Sequence, residues 1–339
     1  MAAVRAELAD CSNVGNIFAA VNVVCDGEAN VVFEAGVGMD IQAMDSSHVS
    51  LVDMHLSTDY FADFSVQEEA NEDEDEGDRA TDVMLCLNIP SIVKIVSGVN
   101  KDNSLVLSSE EGSQAETVNF FITKGKNGMR SFDLKALNCE VDVYRVPQDT
   151  KYLASIRMSS TLFKQTITDL AKWGDTCTIE VSSEGISFST SGDCGDSRIL
   201  YRNKSASAEP DAEPDAEPDA EPDADAVAEP DAEDSPPLLK KKRKAPAKKT
   251  KTTKKKTAKK KKKAPKIEPE DDVEVTIDAP LDLDLSLDYL AKFAKGSGLA
   301  DYIVISMHDE LPCRFAYALS PTSHVHFHLA PKMRDDDDK

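Results

Sequence analysis

The chain has 339 residues, enough for two domains of average size, and its 40% hydrophobic and 30% charged content is typical of a folded soluble protein. Its net charge of −23 argues against a simple nucleic-acid-binding domain, whose folded part is usually basic. No segment reaches the roughly 18 consecutive apolar residues that a membrane-spanning helix needs, so we expect no membrane association.

The first quarter of the chain predicts one short helix followed by three strands. Apolar residues recur at helical spacing in NVGNIFAAVNVV, and they alternate with polar residues in ANVVFEA, GMDIQAM and HVSLVDMHL. Residues 68–78 then read EEANEDEDEGD, which is too acidic to pack and predicts a surface loop.

The next segment repeats this order with a strand in front. VMLCLNI predicts a strand, PSIVKIVSGV a helix, and NSLVLSS, ETVNFFI and RSFDLKA three further strands. The connector that follows, residues 138–151, contains NCEVDVYRVPQDTK and predicts a link between two domains.

The third copy shows the pattern most clearly. YLASIRM alternates as a strand, and Ser160 is predicted to cap a helix whose apolar face ends at Trp173. TCTIEVS, GISFSTS and SRILYRN predict the three strands that complete the unit.

A long insertion, residues 205–272, follows the third copy. The unit Ala-Glu-Pro-Asp occurs four times in tandem, and a proline in every fourth position prevents a continuous helix. The second half is rich in lysine and lacks the apolar surface needed to offset the ordering entropy, so we expect disorder. A cluster within it is typical of a nuclear import signal and consists of Lys240, Lys241, Lys242, Arg243 and Lys244.

The fourth copy completes an internal repeat of βαβββ units. Its helix lies in DLSLDYLAKFAKGSG, and DYIVISM, CRFAYAL and HVHFHLA are the predicted strands. Four units make two similar α+β domains, residues 1–137 and 152–333, the second interrupted by the insertion. An acidic tail, residues 334–339, ends the chain.

This repeat, together with MDSSHVSL at Met44–Leu51, DLAKWGD at Asp169–Asp175 and LAPKM at Leu329–Met333, resembles the eukaryotic DNA sliding clamp, the proliferating cell nuclear antigen family. The resemblance covers residues 1–203 and 273–334. It implies two "DNA clamp" domains per chain, a homotrimeric ring of six domains around duplex DNA, and no catalytic activity. The partners implied are sequence-independent double-stranded DNA, a clamp loader, and DNA polymerase and other proteins with short aromatic-plug peptides. No cofactor is expected.

The resemblance implies that helix lysines face DNA in the hole of the ring. The first helix carries no basic residue, so we expect a less positive lining than in relatives. The candidates are Lys94, Lys101, Lys164, Lys172, Lys292 and Lys295.

The resemblance also implies a docking pocket for partner peptides, in which an aromatic plug enters beneath the connector. The family has a tyrosine where this chain has His328. The matching residues are Met44, His48, Val49, Leu51, Val143, Tyr144, Val146, Pro147, Leu311, Pro312, His328, Leu329, Ala330 and Pro331.

A metal site is not expected from the sequence. The seven cysteines are odd in number and lack C-x-x-C spacing, which predicts reduced thiols and no structural zinc. His324, His326 and His328 alternate on one strand face, but a strand without a nearby acid favours plain polar surface.

The sequence therefore predicts a nuclear sliding clamp that confers processivity on a polymerase and serves as a scaffold in replication and repair. Subunits would join through the strands RSFDLKA and SRILYRN, whose edges need covering. Two alternatives remain open. One is a specialised clamp paralogue or viral processivity factor that acts as a monomer or hetero-oligomer. The other is a chromatin-binding protein that acts through its lysine block.

Overall fold

The computed structural model describes residues 3–67, 82–125, 128–138, 150–203 and 273–333. Three predictions lie wholly outside these residues: the acidic loop 68–78, the insertion 205–272 with its import signal, and the acidic tail 334–339. No helix among the described residues is both long enough and apolar enough to cross a membrane.

The described residues of the first half form nine strands and two helices. In chain order they are β1 (Val4–Leu8), α1 (Val14–Val21), β2 (Glu28–Glu34), β3 (Gly38–Met44), β4 (Ser50–Ser57), β5 (Phe61–Val66), β6 (Asp82–Asn88), α2 (Ile89–Val96), β7 (Asn103–Ser109), β8 (Thr117–Lys124) and β9 (Gly128–Lys135). A short 3-10 helix, Thr58–Tyr60, separates β4 from β5.

The second half repeats the same order of elements. They are β10 (Ala154–Ser159), α3 (Ser160–Leu170), β11 (Thr176–Ser182), β12 (Gly185–Gly192), β13 (Gly195–Arg202), β14 (Glu274–Ile277), β15 (Leu281–Ser286), α4 (Leu287–Phe293), β16 (Tyr302–Met307), β17 (Cys313–Ala318) and β18 (His324–Leu329). A 3-10 helix, Ala294–Gly298, extends α4.

Each half forms one five-stranded and one four-stranded antiparallel arrangement. The first half has the orders β5-β1-β7-β8-β9 and β4-β3-β2-β6, and the second has β14-β10-β16-β17-β18 and β13-β12-β11-β15. β18 pairs with β4 from His324 opposite His55 to Leu329 opposite Ser50. This pairing joins two of the arrangements into one nine-stranded sheet across the halves.

The predicted repeat omitted one strand in its first and third copies, and the predicted segments also omitted the first strands of the first and fourth copies, β1 and β15. β5 follows β4 and pairs with β1, and β14 precedes β15 and pairs with β10. β5 lies at the free side of β1, and β14 at the free side of β10. Each is the fifth strand of its arrangement and leaves the order of the predicted strands unchanged.

The helices bury apolar faces against the sheets, as their spacing predicts. In α3, Phe163, Ile167 and Leu170 are fully buried. Two details of this helix differ from the prediction. The N-cap is Ser159, whose hydroxyl accepts a hydrogen bond from the Leu162 N–H, and Ser160 is the first helical residue. Trp173 is 44% exposed, because the helix ends at Leu170 and its spacing no longer sets the direction of that side chain.

The cysteines differ from the expectation at one position. Cys86 is disulfide-bonded, so the prediction of reduced thiols throughout is wrong. Cys11, Cys25, Cys177 and Cys313 are free and buried, and Cys194 is free and exposed. Burial raises the pKa of Cys177 to about 12, which keeps it a neutral thiol in the core.

Candidate functional site

The four helices pack side by side in a continuous layer that covers one face of the sheets. α1 packs against α2 and also against the 3-10 helix Ala294–Gly298, which in turn packs against α3 and α4. The amide of Asn13, at the start of α1, donates to the carbonyl of Leu299 over 3.2 Å. The outward faces of all four helices therefore belong to one surface, which we call the helix surface.

The candidate DNA-facing lysines lie on or beside this surface. Lys94 is in the last turn of α2, Lys164 is in α3, and Lys292 is in the last turn of α4. The other three lie in turns or 3-10 segments that follow the helices. Five of the six are exposed, namely Lys94, Lys101, Lys164, Lys172 and Lys295.

Neighbouring side chains contact two of these lysines, and one of the two contacts offsets the lysine's charge. Lys172 Nζ lies 2.7 Å from the Asp169 carboxylate, and both side chains are largely exposed, so the pair contributes little to stability. Lys292 Nζ lies 4.7 Å from the centre of the Tyr289 ring. The exposed positions of α1 include Asn16 and Ala19 and carry no charge. The helix surface is thus weakly and unevenly basic.

The described residues of the candidate peptide pocket meet at one end of four adjacent strands. Met44 ends β3 and is paired with Leu51 near the start of β4, and Leu51 is paired with His328 near the end of β18. The Ala330 N–H donates to the Val49 carbonyl over 3.0 Å. Leu311 and Pro312 precede β17, whose first residue is paired with Leu329, so they reach the same end of the sheet.

Asp45 shapes the loop between β3 and β4, and sequence reasoning missed it. Its Oδ1 accepts hydrogen bonds from the N–H groups of Val49 and Ser50, at 2.9 and 2.6 Å. Its Oδ2 accepts from the Tyr289 hydroxyl of α4 at 2.6 Å, which ties this loop to the second half of the chain. Burial alone would raise the pKa of Asp45, but these hydrogen bonds together lower it.

This network holds His48 in an unusual backbone conformation. Its φ of 56° is the only positive φ of a non-glycine residue in the part of the chain that the structure describes. The tight turn leaves His48 and Val49 exposed at the tip of the loop. The signal for Asp45 was present in the sequence, since an aspartate before two serines is typical of a side chain that binds following backbone N–H groups.

Three candidate pocket residues are buried in the chain itself. Leu51, His328 and Leu329 are at most 8% exposed, whereas Met44, Val49, Leu311, Pro312, Ala330 and Pro331 are partly or fully exposed. Burial lowers the pKa of His328 to about 4, so its ring is neutral at physiological pH. The four connector candidates, Val143, Tyr144, Val146 and Pro147, lie outside the described residues.

Comparison with known proteins decides which family this architecture represents. The sequence model of the N-terminal domain of proliferating cell nuclear antigen matches residues 4–144, and that of its C-terminal domain matches residues 146–217 and 253–332. The chain belongs to the proliferating cell nuclear antigen family. The gap between the two C-terminal matches falls inside the insertion.

Two curated members of the proliferating cell nuclear antigen family show how divergent this chain is. It is 25% identical to "Proliferating cell nuclear antigen" of Chaetomium thermophilum over 300 residues, which cover 88% of this chain and 87% of the relative. It is 24% identical to "Proliferating cell nuclear antigen 2" of Drosophila melanogaster over the same shares. The chain is thus a sliding-clamp family member of low sequence identity, with the α+β clamp fold predicted from its repeat.

In this member of the proliferating cell nuclear antigen family, the equivalent strands β18 and β9 differ in how deeply one phenylalanine is buried. β18 and β9 each end their half, and each has a phenylalanine opposite a buried phenylalanine of the preceding strand: Phe327 opposite Phe315, and Phe132 opposite Phe120. Phe327 is fully buried because β4 covers its other side. Phe132 is 36% exposed because β9 is the last strand of its sheet.

β13 is also the terminal strand of its sheet, and it corresponds in order to β4. Ile199 and Tyr201 lie opposite the buried Phe188 and Ile186 on β12, so they face the core side of the sheet. Both are only partly buried. On the opposite face of β13, Leu200 is 53% exposed.

Proposed function

We propose that this protein is a homotrimeric DNA sliding clamp that encircles duplex DNA, confers processivity on a DNA polymerase and serves as a scaffold for replication and repair proteins. The observation that carries the proposal is the contrast between Phe327 and Phe132. Within one chain, β18 pairs with β4. The equivalent strands β9 and β13 have free edges and do not pair with each other in the same chain. Pairing β9 with β13 of the next chain covers both edges, and three chains then close a ring.

The helix surface lines the hole of this ring. Sheets form the outer wall, and the six lysine candidates face the phosphates of the duplex, repeated in each chain by the three-fold symmetry. Contacts of this kind are independent of base sequence, because they recognise the phosphate backbone alone. A clamp of this kind breaks no bond, so the protein is not an enzyme, and a separate loader opens the ring.

Blocking the DNA ends before or after incubation with the protein tests whether the ring binds DNA topologically. The protein is incubated at about physiological salt with linear duplex whose biotinylated ends are blocked by streptavidin either before or after the incubation. We expect retention through gel filtration only when the ends are blocked afterwards, because a ring threads over free ends and is then trapped. Equal retention in both orders would overturn the proposal and favour the chromatin-binding alternative, in which the lysine block binds DNA electrostatically.

A specialised clamp that acts as a monomer or hetero-oligomer is the second candidate. The absence of charge on the exposed face of α1 favours it, since a thin basic lining weakens the attraction for DNA. A mass of one chain in solution, measured by light scattering after gel filtration, would support this candidate over the homotrimer.

We further propose that the strand end containing Met44, Val49, Pro312 and Pro331 forms the docking pocket for the aromatic plug of partner peptides. Apolar, partly exposed side chains meet there beside the exposed loop that Asp45 holds. Such a patch suits the buried aromatic anchors of an extended peptide. Import into the nucleus is assigned to the cluster that begins at Lys240.

Replacing Val49 by glutamate is expected to weaken binding of a labelled peptide with a glutamine and an aromatic plug by about tenfold or more. Burial of a valine side chain is worth about 1.5 kcal/mol, roughly tenfold in the dissociation constant, and a buried carboxylate adds a desolvation cost. Fluorescence anisotropy measures the change. Val37→Glu is the matched control, because Val37 is 40% exposed and Val49 36%, yet Val37 lies in the β2–β3 turn. Equal losses in both variants would contradict this assignment.

A further inference from the structure

A cluster of polar side chains covers the face of the nine-stranded sheet where the two halves join. On β18, His324 lies opposite His55 of β4, and His326 lies opposite Asp53. On the far side of β4, Gln42 of β3 lies opposite Asp53. Directly paired residues share one face of a sheet, so strands from both halves contribute to the same cluster.

Three of these side chains place possible metal ligands close together. Asp53 Oδ2 lies 3.6 Å from His324 Nε2 and 3.9 Å from His326 Nδ1. One ligand atom from each residue lies within 4.8 Å of the other two. Tetrahedral zinc with bonds of about 2.1 Å requires ligand atoms about 3.4 Å apart. The two distances from Asp53 are close to this spacing, and the stacked rings of His324 and His326, whose centres are 3.8 Å apart, must tilt for both nitrogens to point at one ion.

Neighbouring groups orient the carboxylate toward the histidines. Gln42 Nε2 donates to Asp53 Oδ1 over 3.0 Å, which leaves Oδ2 directed at the two rings. The Asp53 side chain is only 5% exposed, whereas those of His324 and His326 are 23% and 20% exposed. A buried carboxylate requires a cation or strong hydrogen bonds, and the partly exposed imidazoles leave a path for an ion from solvent.

A further histidine flanks the same group. His55 Nδ1 lies 2.7 Å from Asp40 Oδ1, and its ring centre lies 5.6 Å from that of His324. Asp40 therefore holds His55, which is a neighbour of the three possible ligands and not one of them. The sequence analysis assumed that no acid lies near the histidines of β18, and the pairing with β4 supplies one, Asp53.

We propose that Asp53, His324 and His326 form a binding site for one divalent transition-metal ion of the zinc class. Imidazole nitrogen with one carboxylate is a donor set that suits zinc, and solvent completes the coordination. The ion links β4 of the first half to β18 of the second, next to the strand end that carries the pocket candidates. Because such an ion binds only where both strands are in place, it stabilises the junction between the halves.

Zinc titration of the full-length, chelator-treated protein tests the site. We expect isothermal titration calorimetry to show one zinc ion per chain, and thermal unfolding to shift to higher temperature with rising zinc concentration. His326→Ala is expected to weaken zinc binding by about tenfold or more and to remove the shift. Cobalt(II) serves as an optical probe, because coordinated cobalt gains visible absorption bands that this variant should lose.

His308→Ala is the matched control. The His308 side chain is 20% exposed, as is that of His326, and it also contacts an aspartate, Asp309, at 2.8 Å, but it lies outside the cluster. This variant should bind zinc like the unaltered chain. The proposal is overturned if the unaltered chain binds no zinc, or if His326→Ala binds as tightly as the unaltered chain. Either result would make the cluster an ion-pair network only. Circular dichroism confirms that each variant is folded.

Discussion

Replacing Phe132 by aspartate is expected to convert the proposed assembly of three chains into single chains. Phe132 occupies on β9 the position that Phe327 occupies on β18, where the partner strand buries it completely. Burial of a phenylalanine side chain is worth about 1.5–3 kcal/mol, so its loss weakens each junction about tenfold to a hundredfold. A carboxylate in the same place must also be desolvated, and the ring contains the change three times.

Light scattering after gel filtration measures this effect. The unaltered chain should have three times the 36.9 kDa mass of one chain, and Phe132→Asp should elute at the mass of one. Met84→Asp is the matched control: Met84 is 37% exposed and lies on β6, the terminal strand of the nine-stranded sheet. It should leave the trimer intact. A single-chain mass for the unaltered protein, or dissociation in both variants, would contradict ring closure through β9.

The fold could be predicted because its signal is local and repeated. Alternation in TCTIEVS and helical spacing in the α3 segment are properties of neighbouring residues, and four copies reinforce one another. Two of the predictions that were wrong concern the two ends of α3, where residue type and spacing alone do not fix the helix boundary. Ser159 and Ser160 are equally good caps by composition, and only the start of the helix decides between them. Trp173 continues the apolar spacing beyond the last helical residue.

The candidate sites could be predicted only in part, because their geometry depends on strand pairing between distant segments. The pairing of β18 with β4 brings His326 beside Asp53, which no spacing rule along the chain reveals. The network around Asp45 likewise depends on Tyr289 of α4. The family resemblance supplied the pocket residues, but not the finding that Leu51 and Leu329 are buried within the chain itself.

Deleting residues 205–272 is expected to lower the affinity for duplex DNA at low salt by about tenfold or more and to flatten its salt dependence. The segment holds 17 acidic and 17 basic residues, with all the basic ones between Lys240 and Lys266. The rest of the chain therefore carries the whole charge of −23, and its helix surface is only weakly basic. We propose that the lysine block supplies phosphate contacts that this surface lacks, in addition to directing import.

Salt titration of DNA binding separates this contribution from that of the ring. Each neutralised phosphate adds about −0.9 to the slope of log affinity against log salt, so loss of several contacts is readily measured by anisotropy with short end-blocked duplex, on which no ring can thread. Deleting only the acidic repeat, Ala208 to Asp223, is the control, and it should strengthen low-salt binding because like-charged carboxylates repel phosphate. An unchanged slope in the full deletion would assign all phosphate contacts to the helix surface. Trapping on DNA blocked after incubation should persist in both variants, because a closed ring holds DNA by topology rather than by charge.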